Sequence, residues 1–264
     1  MLKLTGIRKS FNIGTVNEKL ALDGVDLILQ PGDFISVIGG NGAGKSTLLN
    51  AVAGVYPVDE GSIEIDGVNV TRLSEFKRAK YLGRVFQDPV MGTAGDMNIE
   101  ENLAMALRRG KRRTLKWGVT AAERKRYAAY LQHLDLGLES RMTTKVGLLS
   151  GGQRQALTLL MATLTAPKLL LLDEHTAALD PKTAAKVLAL SDKFIQEEQL
   201  TALMVTHNMR DAIAHGNRLL MMYEGKIIVD VQGEEKKRLT VEGLLALFGK
   251  ASGQQLANDR LLLS

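Results

Sequence analysis

Cysteine is absent from the 264 residues, which excludes disulfides, thiolate metal sites and a cysteine nucleophile. No apolar run reaches the ~18 residues that a membrane-spanning helix needs. The opening segment, Met1 to Ser10, lacks the apolar stretch of a secretion signal, so nothing in it points to secretion. Aromatic residues make up only 5%, with one tryptophan, which leaves few platforms for stacking on nucleobases. Neither sign of charge dominates: 34 Lys and Arg against 29 Asp and Glu give +5. Such mild basicity suits a phosphate-bearing ligand or a membrane surface and demands neither. Core material is plentiful, at 45% hydrophobic and 24% charged, which excludes a disordered chain. At roughly 150 residues per domain, this length makes one large or two small domains. The expected setting is cytoplasmic and soluble.

Glycine is abundant, with 26 residues, and it clusters. Short strand-like runs alternate with helical periods, the pattern of an α/β sheet. Asp33 to Ile38 reads as a strand ending in glycines. Leu48, Leu49 and Val52 then recur at helical spacing until Gly54 stops the helix. Leu169 to Leu172 is continuously apolar, as a parallel strand covered on both faces would be, and Ala202 to Thr206 reads as another. Between them Asp180 as N-cap and Pro181 at the first position open a helix with Val187, Leu190, Phe194 and Ile195 on its core face. Leu27 to Leu29, a Pro31-Gly32 turn and Gly61 to Ile65 suggest antiparallel strands. Leu219 to Tyr223 and Lys226 to Val231, split by Glu224-Gly225, predict a late hairpin.

The stretch from about 90 to 150 has a different texture. Ile99, Leu103 and Leu107 lie at helical spacing. Thr120 and Glu123 form a capping box that opens a second helix, with Tyr127, Leu131 and Leu134 as its apolar stripe. This reads as a helical insertion in the α/β domain. It carries the densest charge cluster, Arg108, Arg109, Lys111, Arg112, Arg113 and Lys116 beside Trp117. A solvated loop is the plainest reading. Lipid headgroups come next, and nucleic acid is the weakest reading.

Gly39, Gly40, Asn41, Gly42, Ala43, Gly44, Lys45 and Ser46 fit the G-x-x-x-x-G-K-[ST] phosphate loop, placed between a strand and a helix. The glycines let backbone N–H groups curl around phosphate oxygens, and the helix N-terminus adds its dipole. Lys45 is placed to reach the β- and γ-phosphates, and Ser46 to offer a hydroxyl to Mg²⁺, with Thr47 next in the helix. Asp173 and Glu174 end the apolar run that begins at Leu169. Two acids after a strand also serve as an N-cap and first turn. Downstream of a phosphate loop, however, Asp173 is read as holding the metal through water and Glu174 as polarising the attacking water.

Leu149, Ser150, Gly151, Gly152 and Gln153 spell LSGGQ, and here the chain resembles the ATP-binding cassette family, the motor subunits of ABC transporters. Locally, Ser150 is an N-cap whose hydroxyl and following N–H groups make a second anion site. A capped helix alone does not explain Gly151 and Gly152, each of which costs roughly 1 kcal/mol relative to alanine. The resemblance implies that this site faces the γ-phosphate held by a partner copy. It further matches Gln87 to the Q-loop glutamine, which touches Mg²⁺ and links to the membrane partner. Ala177 to Asp180 match the D-loop, and His207 the switch histidine on the γ-phosphate. Phe11 matches the residue that stacks on adenine, and it reads equally well as a strand core residue. Two positions depart from the pattern: His175 stands where proline is usual, and Ala177 where the D-loop has serine. The likeness runs from about residue 2 to 248, and some wording is similar to a bacterial uptake branch linked with amino-acid import.

The resemblance implies a phosphate-loop α/β core (1–87 and 156–235) with an antiparallel β subdomain, and an inserted helical subdomain (88–155) within one domain, 1–248. A tail, 249–264, follows. It implies an ATPase with ATP and Mg²⁺ that works at the cytoplasmic face of the membrane as a homodimer. Its partners would be separate transmembrane permease subunits and an extracytoplasmic substrate-binding protein, with no nucleic acid. A soluble cassette ATPase acting in DNA repair or translation is the alternative. Those usually need two cassettes or long coiled-coil inserts.

Overall fold

The computed structural model describes residues 1–111 and 118–252. Arg112, Arg113, Lys116 and Trp117 of the basic cluster lie outside the described residues, as does the chain beyond Ser252. In chain order the first elements are β1 (Leu2–Phe11), β2 (Lys19–Leu29), β3 (Phe34–Ile38), α1 (Lys45–Ala53), β4 (Glu60–Ile65), β5 (Val68–Asn69), α2 (Glu75–Arg78) and β6 (Leu82–Val85). Next come α3 (Ile99–Leu107), α4 (Ala121–Gln132), α5 (Gly151–Thr163), β7 (Leu169–Asp173), α6 (Pro181–Glu197) and β8 (Ala202–Val205). The last are α7 (Met209–Ala214), β9 (Arg218–Tyr223), β10 (Lys226–Gln232), α8 (Gly233–Lys237) and α9 (Val241–Ser252). Helix α9 carries the chain past Gly249, the expected start of the tail. No described helix is long and apolar enough to cross a membrane.

Two sheets organise the chain. One has the order β2-β1-β4-β5, the other β10-β9-β3-β8-β7-β6. The second is parallel from β9 to β6, with β10 antiparallel at one edge. Strand β7 explains its own sequence. Leu169 and Leu171 face one core with Val37, Leu48 and Val205. Leu170 and Leu172 face the other, with Leu157, Phe194 and Met204. Alternate residues point to opposite faces, so a strand buried on both sides must be apolar at every position. Each fully buried leucine is worth about 1.5–3 kcal/mol relative to exposure.

Helix α1 ends where glycine lets it. Gly54 takes φ +86° and donates its N–H to Asn50 O and Ala51 O. The buried Arg78 guanidinium closes that end, with Nη1 donating to Ala51 O at 2.7 Å and Val52 O at 2.9 Å. A cation on the free carbonyls complements the helix dipole. Helices α3, α4 and α5 pack through Leu103, Tyr127, Leu131 and Leu157, all buried. The expected apolar stripes thus meet, although Leu134 lies beyond the end of α4 and Leu190 is only half buried. The Thr120–Glu123 capping box is present, and a second one, Asn98 with Glu101, opens α3.

Candidate nucleotide site

Strand β3, in the middle of the parallel sheet, delivers the chain to the phosphate loop, and α1 carries it away. Gly39 has φ +152°, and a Cβ there would strike Met222 O of β9. At Gly44 φ is +104°, and a Cβ would lie 2.6 Å from Ala21 O of β2. Only glycine fits such approaches. Gly225, at the tip of the β9–β10 hairpin, donates its N–H to Ala43 O at 3.1 Å. The loop is therefore wedged between β2 and the late hairpin.

Helix α1 opens on Gly44, which gives no side-chain cap, and its first turn holds no acid. By contrast α4, α5, α6 and α7 are capped by Thr120, Ser150, Asp180 and Asn208. An uncapped helix start beside a glycine-rich turn is an anion site by construction. Lys45 is 6% exposed, and its Nζ donates to Gly39 O at 2.7 Å and Gly40 O at 3.3 Å. Burial holds the ammonium below its ordinary pKa, while Glu174 and Asp173 act against that.

The cleft over the loop is about 240 Å³, and Phe11, Lys19, Ala21, Asn41 to Thr47 and Glu174 line it. Phe11 is half buried and meets Tyr56 edge-on, with centroids 5.2 Å apart. It is packed on one side and lines the cleft on another. Lys19 pairs across the ladder from Phe11, and its Nζ would lie 2.9 Å from a Cβ on Gly42. This second cation over the loop belongs to no sequence motif, and only the β1–β2 register brings it there.

The acid pair ends β7. Asp173 faces Arg84 of β6, Nη2 to Oδ2 3.5 Å, and the same Nη2 donates to Asn50 Oδ1 of α1 at 2.6 Å. Burial pushes the Asp173 carboxyl up, while Arg84 pulls against that. Neither Arg84 nor Asn50 belongs to the sequence motifs. Glu174 has φ +42°, a left-handed conformation that costs a non-glycine residue about 1–3 kcal/mol and persists only where neighbours impose it. Its Oε2 lies 3.6 Å from His207 Nδ1, just beyond the end of β8. His175 turns the other way. It is 2% exposed, and burial lowers its pKa to about 4, so the ring is neutral near pH 7.

Magnesium takes oxygen ligands and is usually held by one or two carboxylates, phosphate oxygens and water. Ser46 and Asp173 supply that kind of donor. Among the described residues no three His, Cys, Asp or Glu gather as a metal cage. The set therefore fits a phosphate-bound ion better than a resident one.

The site residues do not all converge. Gln87 is exposed just past β6 and is not among the cleft-lining residues. Neither are Ser150, Gly151, Gly152 and Gln153, which sit at the start of α5. Ser150 Oγ accepts from Gln153 N at 3.3 Å, and Gln153 Oε1 accepts from Ser150 N at 3.2 Å. Gly152 has a reason within the chain: a Cβ there would run into Thr183 Cγ2 on α6.

Residues 22–177 match the family described as ABC transporter. The tyrosine transport ATP-binding protein of Clostridioides difficile is 44% identical over 253 residues, 94% of this chain and 98% of that relative. A methionine import ATP-binding protein of Bartonella henselae is 33% identical over 231 residues, 86% of this chain; the chain spans 64% of that relative's length. Among solved structures, a dimeric ATP-binding cassette in a post-hydrolysis state with ADP and Pi is similar, with TM-score 0.75 and 29% identity. That match covers 88% of this chain and 98% of the other. The ADP conformation of another ABC transporter cassette matches with TM-score 0.76, 28% identity and 94% and 98% coverage. The architecture is that of the ATP-binding cassette, and the chain belongs to the ABC transporter family.

Proposed function

We propose that this chain binds and hydrolyses ATP to move an amino-acid-type solute into the cell through separate transmembrane subunits. The carrying observation is the uncapped, glycine-nested start of α1 with Lys45 at its base and the Glu174–His207 pair 3.6 Å apart. Backbone N–H groups of the loop and Lys45 hold the phosphates, while Phe11 borders the place for the base. Ser46 and Asp173 would hold Mg²⁺, which supplies charge neutralisation at the phosphoryl group when bound. Glu174 orients and deprotonates water, and His207 donates toward the γ-phosphate oxygens.

Ser150, Gly151, Gly152 and Gln153 serve the cleft of a second copy, so two chains sandwich two ATP molecules. Their absence from this chain's own cleft supports that arrangement, as do the dimeric cassettes among the similar structures. Gln87, exposed at the root of the 88–155 insertion, passes motion to the permease. The chain therefore works at the cytoplasmic face of the membrane, and an extracytoplasmic substrate-binding protein delivers the solute. The tyrosine transport and methionine import relatives both support an amino acid as cargo, and the methionine import relative supports the inward direction.

Uptake of labelled amino acids by cells lacking this chain, restored by wild type but not by Lys45→Ala, is the expected result. Affinity purification should recover a partner with several membrane spans. Recovery of ribosomes or nucleic acid instead, with uptake intact, would favour the soluble cassette ATPase.

A further inference from the structure

The residue after Glu174 departs from the family pattern, and its side chain enters the protein interior. His175 Nε2 stands 3.0 Å from Ser191 Oγ on α6. Ser191 uses its one proton on Val187 O, 2.9 Å away, so His175 Nε2–H is the donor to the hydroxyl. The next residue on α6, Asp192, accepts from His215 Nδ1 at 2.7 Å. His215 closes α7, whose N-cap Asn208 directly follows His207. Lys236 steadies the same end of α7, donating to Ile213 O, His215 O and Gly216 O. Two consecutive residues of one helix therefore hold both segments that carry Glu174 and His207.

Helix α6 is a firm anchor, because Val187, Leu188, Phe194 and Ile195 bury it against the core. Glu174 needs such a hold. Its left-handed backbone is otherwise fixed by Glu174 N to Val205 O at 2.9 Å and Ala177 N to Glu174 O at 3.0 Å. Proline would stiffen this position through φ alone. Histidine ties it through a side chain instead.

We propose that His175 is a positioning residue and that Ser191 and Asp192 of α6 form a strut setting the Glu174–His207 separation. The proposal rests on the reading of Glu174 as the group that activates water. The test measures kcat and KM for ATP on the full chain, with thermal melting to confirm folding. Ser191→Ala leaves the imidazole N–H without its acceptor, and kcat should fall on the order of tenfold through misplacement. KM should stay within about twofold, because ground-state binding is untouched. His175→Leu should lose as much, whereas His175→Gln keeps an amide donor at similar reach and should recover most of kcat. The double variant Ser191→Ala with His175→Leu should be no slower than either single one, since both remove one interaction.

Wild-type kcat in the two single variants, or additive losses in the double, would overturn the strut. Should His175→Leu fail to fold, Ser191→Ala against His175→Gln decides alone. Glu174→Gln, run in parallel, separates the two readings. If it keeps turnover, the assignment of Glu174 falls and the strut with it. If it abolishes turnover while the His175 and Ser191 variants run normally, only the strut falls.

Discussion

Glu174 and His207 face each other across 3.6 Å from just beyond the ends of two adjacent parallel strands, β7 and β8. The sheet brings the two segments side by side, because Asp173 pairs with Val205 in register. In the proposed function the carboxylate directs water and the imidazole contacts the phosphoryl group.

Glu174→Gln preserves shape and removes the charge to which the proposed function assigns the orienting of water. ATP affinity should stay within about threefold, while turnover falls at least about a hundredfold. Size-exclusion chromatography with ATP should show a stable dimer. Near-normal turnover would assign Glu174 to structure alone.

The shared site can be tested by lesions in different copies. Lys45→Ala in one copy and Ser150→Arg in the other should each inactivate their own homodimer. If each site joins Lys45 of one copy to Ser150 of the other, the mixed dimer holds both lesions in one site and leaves the second intact. It should then occlude about one ATP, by the one-intact-site count of the phosphate-loop motif. Trapping none would refute nucleotide sharing in this form.

Gly152 makes a separate prediction about packing. Its missing Cβ is where Thr183 Cγ2 sits, so Gly152→Ala should cost about 1–3 kcal/mol by overpacking. Thr183→Ala in the same chain should restore most of that in a chemical denaturation series. Failure of the rescue would leave the α5–α6 contact out of the explanation.

Stability should also depend on pH through the α4 cap. Thr120 N, then Arg108, hold the Glu123 carboxylate down to about 2. Because the folded state favours the charged form, this contribution is complete above the ordinary carboxylate range and fades as pH falls toward 2. Glu123→Gln should lose about 0.3–1 kcal/mol near pH 7, and the gap should narrow between about pH 5 and 3. A gap constant over that range in melting experiments would contradict the assignment.

Features set by residues a few positions apart were readable in the sequence. The phosphate loop, the Thr120 and Ser150 caps and the Gly54 stop all follow from spacing along the chain. The continuous run Leu169 to Leu172 announced a strand covered on both faces. Features set by distant approach were not readable. Lys19 reaches the loop through strand register, and Arg84 reaches Asp173 across neighbouring strands. His175 finds Ser191 sixteen positions later, and no local pattern encodes that meeting. Gly152 looked like a ligand-facing glycine, and only the position of α6 gives it an internal role as well. The cap of α3 was equally local, with Asn98 N donating to Glu101 Oε2 at 2.7 Å. An asparagine outside a recognised motif reads first as loop, which hides this cap in the sequence.

The late hairpin has a consequence for biosynthesis. Gly225 N–H holds Ala43 O, and Met222 O occupies the space beside Gly39. Strand β3 itself lies between β8 and β9, both of which leave the ribosome more than a hundred and fifty residues after it. Such long-range closure is slow to form. The nascent chain therefore carries a phosphate-loop sequence that lacks its hairpin wall until residue 225 has been made. A ribosome stalled earlier presents a phosphate loop open on the side that Met222 and Gly225 close in the finished chain.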